Sequence, residues 1–392
     1  MGDEVGWSAA PENTLPSLRH GITMFDGIEF DIRITSDQEL VIHHDRTVSI
    51  PKSALQGRSP WTEEWTLDEL EEVGFLSFED LLKDSTVREH WTSKGKMGCV
   101  EIKRPHPKAA SGGGFLGKQH HIRQVSETMK LAEAHLDAYE IPRENTVFYA
   151  FHKHMPQSAK MAQTNRPWAA LIPYIAPYGS RNFQRIKAFR QYLTTPFGRL
   201  IRHHRQQGSS MLPCAMEYFE TPTKYLPLGR HVGLSGNGLK RLTAKREGMP
   251  TYVWPTKARN EHAVLEAGMT ALTDSADPAL SWLPSGHARW RHPATRPLDE
   301  SQKIQLKQAT QENHQSILTE LMDNTPTWEE CDAHRRQILV KQWKSQWNWQ
   351  GEIDAILQEH HAASPPWSTP RLIGHRGSGK TSRPVLTDVH SM

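Results

Sequence analysis

The stretch GIEFDIRITSDQELVIHHDR, Gly27 to Arg46, decides the fold. Its first half, Ile28 to Thr35, is β-branched and aromatic with acids at alternate positions. As a strand it puts Glu29 and Asp31 on one face and Ile28, Phe30, Ile32 and Ile34 on the other. The apolar face demands burial, as in a strand of an α/β barrel. Adjacent carboxylates facing a barrel mouth are too costly to leave uncompensated, so a cation is expected beside them. The second half turns at Ser36 to Glu39, runs apolar through Leu40-Val41-Ile42 and ends in His43-His44-Asp45. A histidine beside an acid pair suits general acid or base work, because its pKa lies near neutrality.

Outward from this stretch, Glu29, Asp31, Thr35, Asp37, Val41, His44 and Asp45 spell E-x-D-x-x-x-T-x-D-x-x-x-V-x-x-H-D. With Pro11-Glu12-Asn13-Thr14 before it and Val100-Glu101-Ile102-Lys103 after it, the pattern resembles the glycerophosphodiester phosphodiesterase family. That resemblance implies a (β/α)8 TIM barrel that releases glycerol 3-phosphate from glycerophosphodiesters through a cyclic phosphate. It implies His375 and His44 as the acid/base pair, Arg376 and Lys103 as phosphate clamps, and Trp254 beside the glycerol. The oxygen donors Glu29, Asp31 and Glu101 suit a hard divalent cation, Mg²⁺ or Ca²⁺. Glu12 is assigned to the substrate, with helix capping by Glu12 and Asn13 as its alternative. Trp254 is followed by Pro255-Thr256-Lys257 where the family has Thr-x-Asn.

The family opens on a strand ending in His-Arg-Gly, whereas this chain starts MGDEVGWSAA and carries Leu372-Ile373-Gly374-His375-Arg376-Gly377 at its far end. Gly374 to Thr381 also fits the phosphate-cradling pattern G-x-x-x-x-G-K-[ST]. Only residues 382–392 follow it, too few for a nucleotide-binding domain. A circular permutation explains more: joining Met392 to Met1 restores the order strand, His-Arg-Gly, loop, Pro-Glu-Asn-Thr.

The remaining chain supplies strands near 97, 146, 169, 214, 251 and 270, separated by helical segments, and with 28 and 371 the count reaches eight. The expected division is a barrel over 1–285, a helical appendage over 296–363 and the first barrel strand with its loop over 371–392. Residues 51–75 read as a polar loop, Arg104 to His121 as a mobile loop over the mouth, and Gln124 to Ala138 as a helix. Residues 181–210 hold seven Lys or Arg and no acid, interleaved with Phe183, Ile186, Phe189, Phe197, Leu200 and Ile201. They read as an outer barrel helix with a solvated basic face, or as a peripheral membrane contact.

Lys+Arg at 47 nearly cancel Asp+Glu at 44, which argues against a nucleic-acid partner. Cys99, Cys214 and Cys331 show no CxxC spacing, and no apolar leader or membrane-spanning run occurs, so a cytoplasmic enzyme on a small-molecule substrate is expected. Oligomeric state is left open. The alternatives are lysophospholipase D-like activity on lysolipids and an inactive phosphate or headgroup binder, and the position of His375 separates enzyme from binder.

Overall fold

The structure, a computed structural model, describes residues 7–48, 50, 51, 55, 57–176, 178–219, 232–277, 299–310, 312–326, 330–346 and 366–380. Its strands are β1 (Gly27–Ile34), β2 (Leu40–Ile42), β3 (Leu76–Ser77), β4 (Met97–Ile102), β5 (Thr146–Ala150), β6 (Trp168–Ala170), β7 (Leu212–Ala215), β8 (Thr251–Thr256), β9 (Thr270–Thr273) and β10 (Leu372–Gly374). Eight of them run parallel in the order β6-β5-β4-β1-β10-β9-β8-β7. A parallel bridge from Ile172 to Cys214 brings the ends of this order together, so the barrel is nearly closed. β2 turns back antiparallel on β1, with Ile32 opposite Ile42, and β3 pairs with β2. The eight-stranded α/β barrel expected from the sequence is therefore present.

Alternation along the strands builds two environments. Ile28, Phe30, Ile32 and Ile34 pack outward with Val100, Ile102 and Phe148 against the helices Leu15–Met24, Phe78–Lys83, Ser85–Thr92 and Lys118–Ala138. The alternate positions Met97, Cys99, Val147, Tyr149, Ala169, Leu171, Tyr252, Leu272 and Ile373 fill the barrel interior. Glu29 and Asp31 lie on this inward face of β1, as the two-residue period requires.

β10 is seated between β1 and β9: Gly374 pairs with Ile28, and Leu372 with Ala271. Residues 375–380 form turns and open no helix, contrary to what a nucleotide-cradling loop needs. They rest on the helix Leu15–Met24, where Ser378 N donates to Ser17 Oγ at 2.8 Å and Asn13 N donates to the Arg376 carbonyl at 3.2 Å. A Cβ added at Gly21 would sit 2.6 Å from the Gly377 carbonyl oxygen, so the helix approaches this loop at backbone distance.

Four details depart from expectation. Residues 51–75 hold a helix, Leu67–Glu72, closed by a reciprocal cap between Thr66 and Glu69. The long helix begins at Lys118 rather than Gln124. The strand at Cys214 ends at Ala215, and Met216–Tyr218 is a 3-10 turn. The stretch 181–210 is two helices broken at Thr195-Pro196, and only the second, Phe197–Gln207, buries residues against the barrel.

The described parts of 296–363 are helical at Glu300–Lys307, His314–Asp323 and Ala333–Gln346. Leu306, Ala309, Ile317, Leu318 and Leu321 form a small core of their own, and His314 stacks edge-on against His20 at 4.3 Å. The side chain of Trp343, the tryptophans 347 and 349, and the 363–365 linker lie outside the described residues, as do residues 278–285 of the expected barrel and 381–392 of the expected terminal loop.

Candidate active site

β1 and β4 pair in register with Asp31 opposite Glu101, which lines up the inward acids of both strands. One carboxylate oxygen from each of Glu29, Asp31 and Glu101 lies within 4.8 Å of the others, and all three residues are buried. Two fixed cations sit among them. Lys103 Nζ is 2.8 Å from Asp31 Oδ1 and pairs with Glu101. Arg376 Nε is 3.3 Å from Asp31 Oδ2, and its backbone N donates to Glu29 Oε2 at 2.9 Å.

Titration behaviour shows how the charge is shared. Burial and the neighbouring Asp31 push Glu29 up to about 8, and burial also raises Glu101. Burial works the same way on Asp31, but Lys103 and Arg376 overcome it and hold that carboxyl well below the usual range. Three acids facing two fixed cations leave one negative charge poorly met, and it falls on Glu29. A divalent cation fits such a donor set of three clustered carboxylates.

His375 follows β10 and closes the ring of groups around Glu29. Its Nδ1 is 2.5 Å from Asp274 Oδ1 and its Nε2 is 3.7 Å from Glu29 Oε2. Burial works against its charged form, yet the carboxylates of Glu29 and Asp274 raise its pKa. His44, after β2, has Nδ1 2.8 Å from Asp45 Oδ1. Burial and the Lys103 charge lower it to about 4. The two imidazoles are thus each held by an acid but biased to opposite protonation states.

They line different spaces. His44 lines a cavity of 310 Å³ with Glu101, Lys103 and Phe151, whereas His375 lines a narrow crevice with Glu29, Glu101, Tyr252 and Trp254. Glu101 belongs to both walls. Trp254 packs edge-on against Phe151 at 5.7 Å, and Lys103 Nζ lies 5.9 Å from the Phe151 ring centre. Glu12 Oε2 lies 3.2 Å from Arg376 Nη1 and 3.3 Å from Lys380 Nζ, so its carboxylate meets cations in this structure.

Two residues at this mouth had no assigned part. Asn13, weighed only as a cap, donates from Nδ2 to Asp31 Oδ2 at 2.8 Å and accepts from Asp31 N at 3.2 Å. Asp274 comes one residue after the strand ending at Thr273, and an acid at the C-terminal end of a barrel strand was the available signal.

Charged side chains gathered at the C-terminal ends of parallel barrel strands define an enzyme mouth of the (β/α)8 class. The glycerophosphoryl diester phosphodiesterase family matches residues 7–276, and the chain belongs to that family. It is accordingly a phosphoric diester hydrolase by class. A glycerophosphodiester phosphodiesterase from Thermotoga maritima is 17% identical, with 63% of this chain and 80% of that one covered at a TM-score of 0.36. One from Parabacteroides distasonis is 13% identical, covering 69% and 90% at 0.43. A phosphodiesterase from Oleispira antarctica, in complex with the product sn-glycerol-3-phosphate, is 15% identical and covers 68% and 88% at 0.37. No curated protein matches the chain.

Proposed function

We propose that the enzyme hydrolyses glycerophosphodiesters to glycerol 3-phosphate and an alcohol, with Glu29, Asp31 and Glu101 holding Mg²⁺ or Ca²⁺. The observation that carries this is the buried acid cluster flanked by two carboxylate-held histidines. When bound, the ion would polarise the phosphoryl group and lower the barrier electrostatically. His375 and His44 are the acid/base pair, each oriented through Nδ1 so that Nε2 is the working nitrogen. Arg376 supplies a fork and Lys103 a point charge to the phosphate, while Glu12 holds Arg376 in place. Trp254 flanks the glycerol. The seating of His375 on Asp274 and Glu29 supports catalysis over a binding-only role.

The test is glycerol 3-phosphate release from a headgroup panel with Mg²⁺ or Ca²⁺ added. EDTA should abolish it, and Glu29→Gln should remove most metal affinity; full turnover in excess EDTA sinks the metal assignment. His44→Ala should lower kcat by about 10²- to 10⁴-fold with little change in KM.

A second reading, lysolipid cleavage at a membrane surface, rests on one exposed patch. Phe115, Leu116, Phe183, Ile186 and Phe189 are exposed, Leu116 at 96%, and the helix Arg181–Thr194 buries no residue. Tyr178 links its two parts, 4.9 Å from Phe115 and 6.2 Å from Phe183. Arg181, Arg185, Lys187 and Arg190 share that helix, which suits anionic headgroups. Co-sedimentation with anionic but not zwitterionic vesicles supports this reading, and equal recovery with both counts against it. No described helix is long and apolar enough to cross a membrane. The free, buried Cys99, Cys214 and Cys331 support a reducing, cytoplasmic setting.

A further inference from the structure

The cavity that holds His44 and Lys103 is larger than the reaction above requires, and its wall continues through Arg33, Arg46 and Arg104. Four cations line it, and two are already committed. Arg33 pairs with Glu63 inside the protein, and Lys103 pairs with Asp31 and Glu101. Asp45, the acid nearest in sequence, is held by His44. Arg46 donates to the Ala176 carbonyl at 3.2 Å and makes no ion pair among the described residues. The Arg104 guanidinium has neither a hydrogen bond nor an ion pair among them.

These two guanidiniums are near enough to oppose each other: burial and the Arg46 charge lower Arg104 to about 10. Like charges on one concave wall attract an anion strongly, and the planar fork of arginine matches a phosphate or carboxylate. Trp254, placed beside the glycerol, lines the crevice on the His375 side. The His44 cavity is therefore the space left for the alcohol.

We infer that Arg46 and Arg104 form a subsite for a second anionic group, a phosphate monoester or a carboxylate, on the alcohol half of the substrate. This rests on the phosphodiesterase reading above and narrows it to a substrate class. Two matched pairs test it with metal present. Glycerophosphoinositol and its 4-phosphate differ by one phosphate; glycerophosphoethanolamine and glycerophosphoserine differ by one carboxylate.

Wild-type enzyme should favour the more anionic member of at least one pair by tenfold or more in kcat/KM. That ratio should fall to within threefold of unity in Arg104→Gln and in Arg46→Gln. It should persist in Arg123→Gln, which makes the same charge change at an exposed helix position outside the cavity. Because each ratio is read on one protein sample, a reduced folded fraction cancels. Ratios near unity in the wild type, ratios unchanged in both cavity variants, or an equal fall in Arg123→Gln overturn the subsite alone. No turnover of any of the four substrates overturns the parent reading and the subsite with it.

Discussion

Asp274 serves His375 as Asp45 serves His44: each carboxylate takes the Nδ1 proton and fixes which nitrogen faces the chemistry. Asp274→Asn should keep the ring in place but lose the charge that favours the imidazolium. The sign follows from the cause: Asp274 raises the His375 pKa, so its loss lowers it. If His375 donates the proton, activity is lost as pH rises through its pKa, and the alkaline limb of kcat should move to lower pH. The expected fall in kcat is about 10²-fold with KM within about threefold; an unmoved limb with normal kcat would make Asp274 merely structural. The legible residues here were those in strong local patterns. Glu29 and Asp31 stood out by alternation, and His44 by its neighbour Asp45. Asp274, Asn13, Arg46 and Arg104 were not legible because their partners are set by strand register and loop course rather than by spacing along the chain.

At the scale of elements, hydrophobic alternation located every barrel strand, while loops and surface helices were read less well. The Arg104 to His121 segment is glycine-rich, yet it is tied down: His120 Nε2 meets the Ser111 carbonyl at 2.7 Å, and His121 Nε2 meets the Gly112 carbonyl at 3.1 Å. A Cβ at Gly112 would lie 2.0 Å from the His106 carbonyl oxygen, so that glycine serves close packing rather than freedom. The basic stretch 181–210 divides because Pro196 ends one helix and begins the next, and only the second helix has an inward face. On that face His204 is fully buried with no hydrogen-bond partner for either ring nitrogen, and burial lowers it to about 3. The unfolded chain takes up this proton below about pH 6.5 and the folded chain does not, so stability is intact above that pH and lost as pH falls toward 3. For this residue the loss between pH 7.5 and pH 5 is about 2 kcal/mol. His204→Leu should remove that share, so its Tm should drop less than the wild-type Tm over the same interval. Parallel Tm curves would show that the histidine is hydrated in the folded state.

For the whole molecule the question is whether one barrel is completed by the two ends of one chain. β10 contributes Leu372 and Ile373, both buried, and pairs with β1 and β9. Asp26 and Leu372 exchange backbone contacts, with Asp26 N donating to the Leu372 carbonyl at 2.8 Å. Burying two such side chains is worth about 1.5–3 kcal/mol each before any strand hydrogen bond is counted. Set against a typical net stability of about 5–15 kcal/mol, removal of β10 brings the fold near its threshold and opens two parallel edges. We propose that the chain is a circular permutation of its family's order, with β10 and the His-Arg-Gly loop preceding the helix Leu15–Met24 in space though following it in sequence. Deleting residues 366–392 should therefore abolish both cooperative unfolding and turnover, since it also removes His375 and Arg376. Placing the same residues ahead of Met1 should restore a cooperative melt and turnover within about tenfold, because Lys380 already reaches Glu12 at 3.3 Å and Ser378 already lies on Ser17. Activity in the truncated chain would show that the segment is dispensable. A transposed chain that stays unfolded while the native order folds would show that the junction between residues 346 and 366, and not merely the strand it delivers, is part of what completes the barrel.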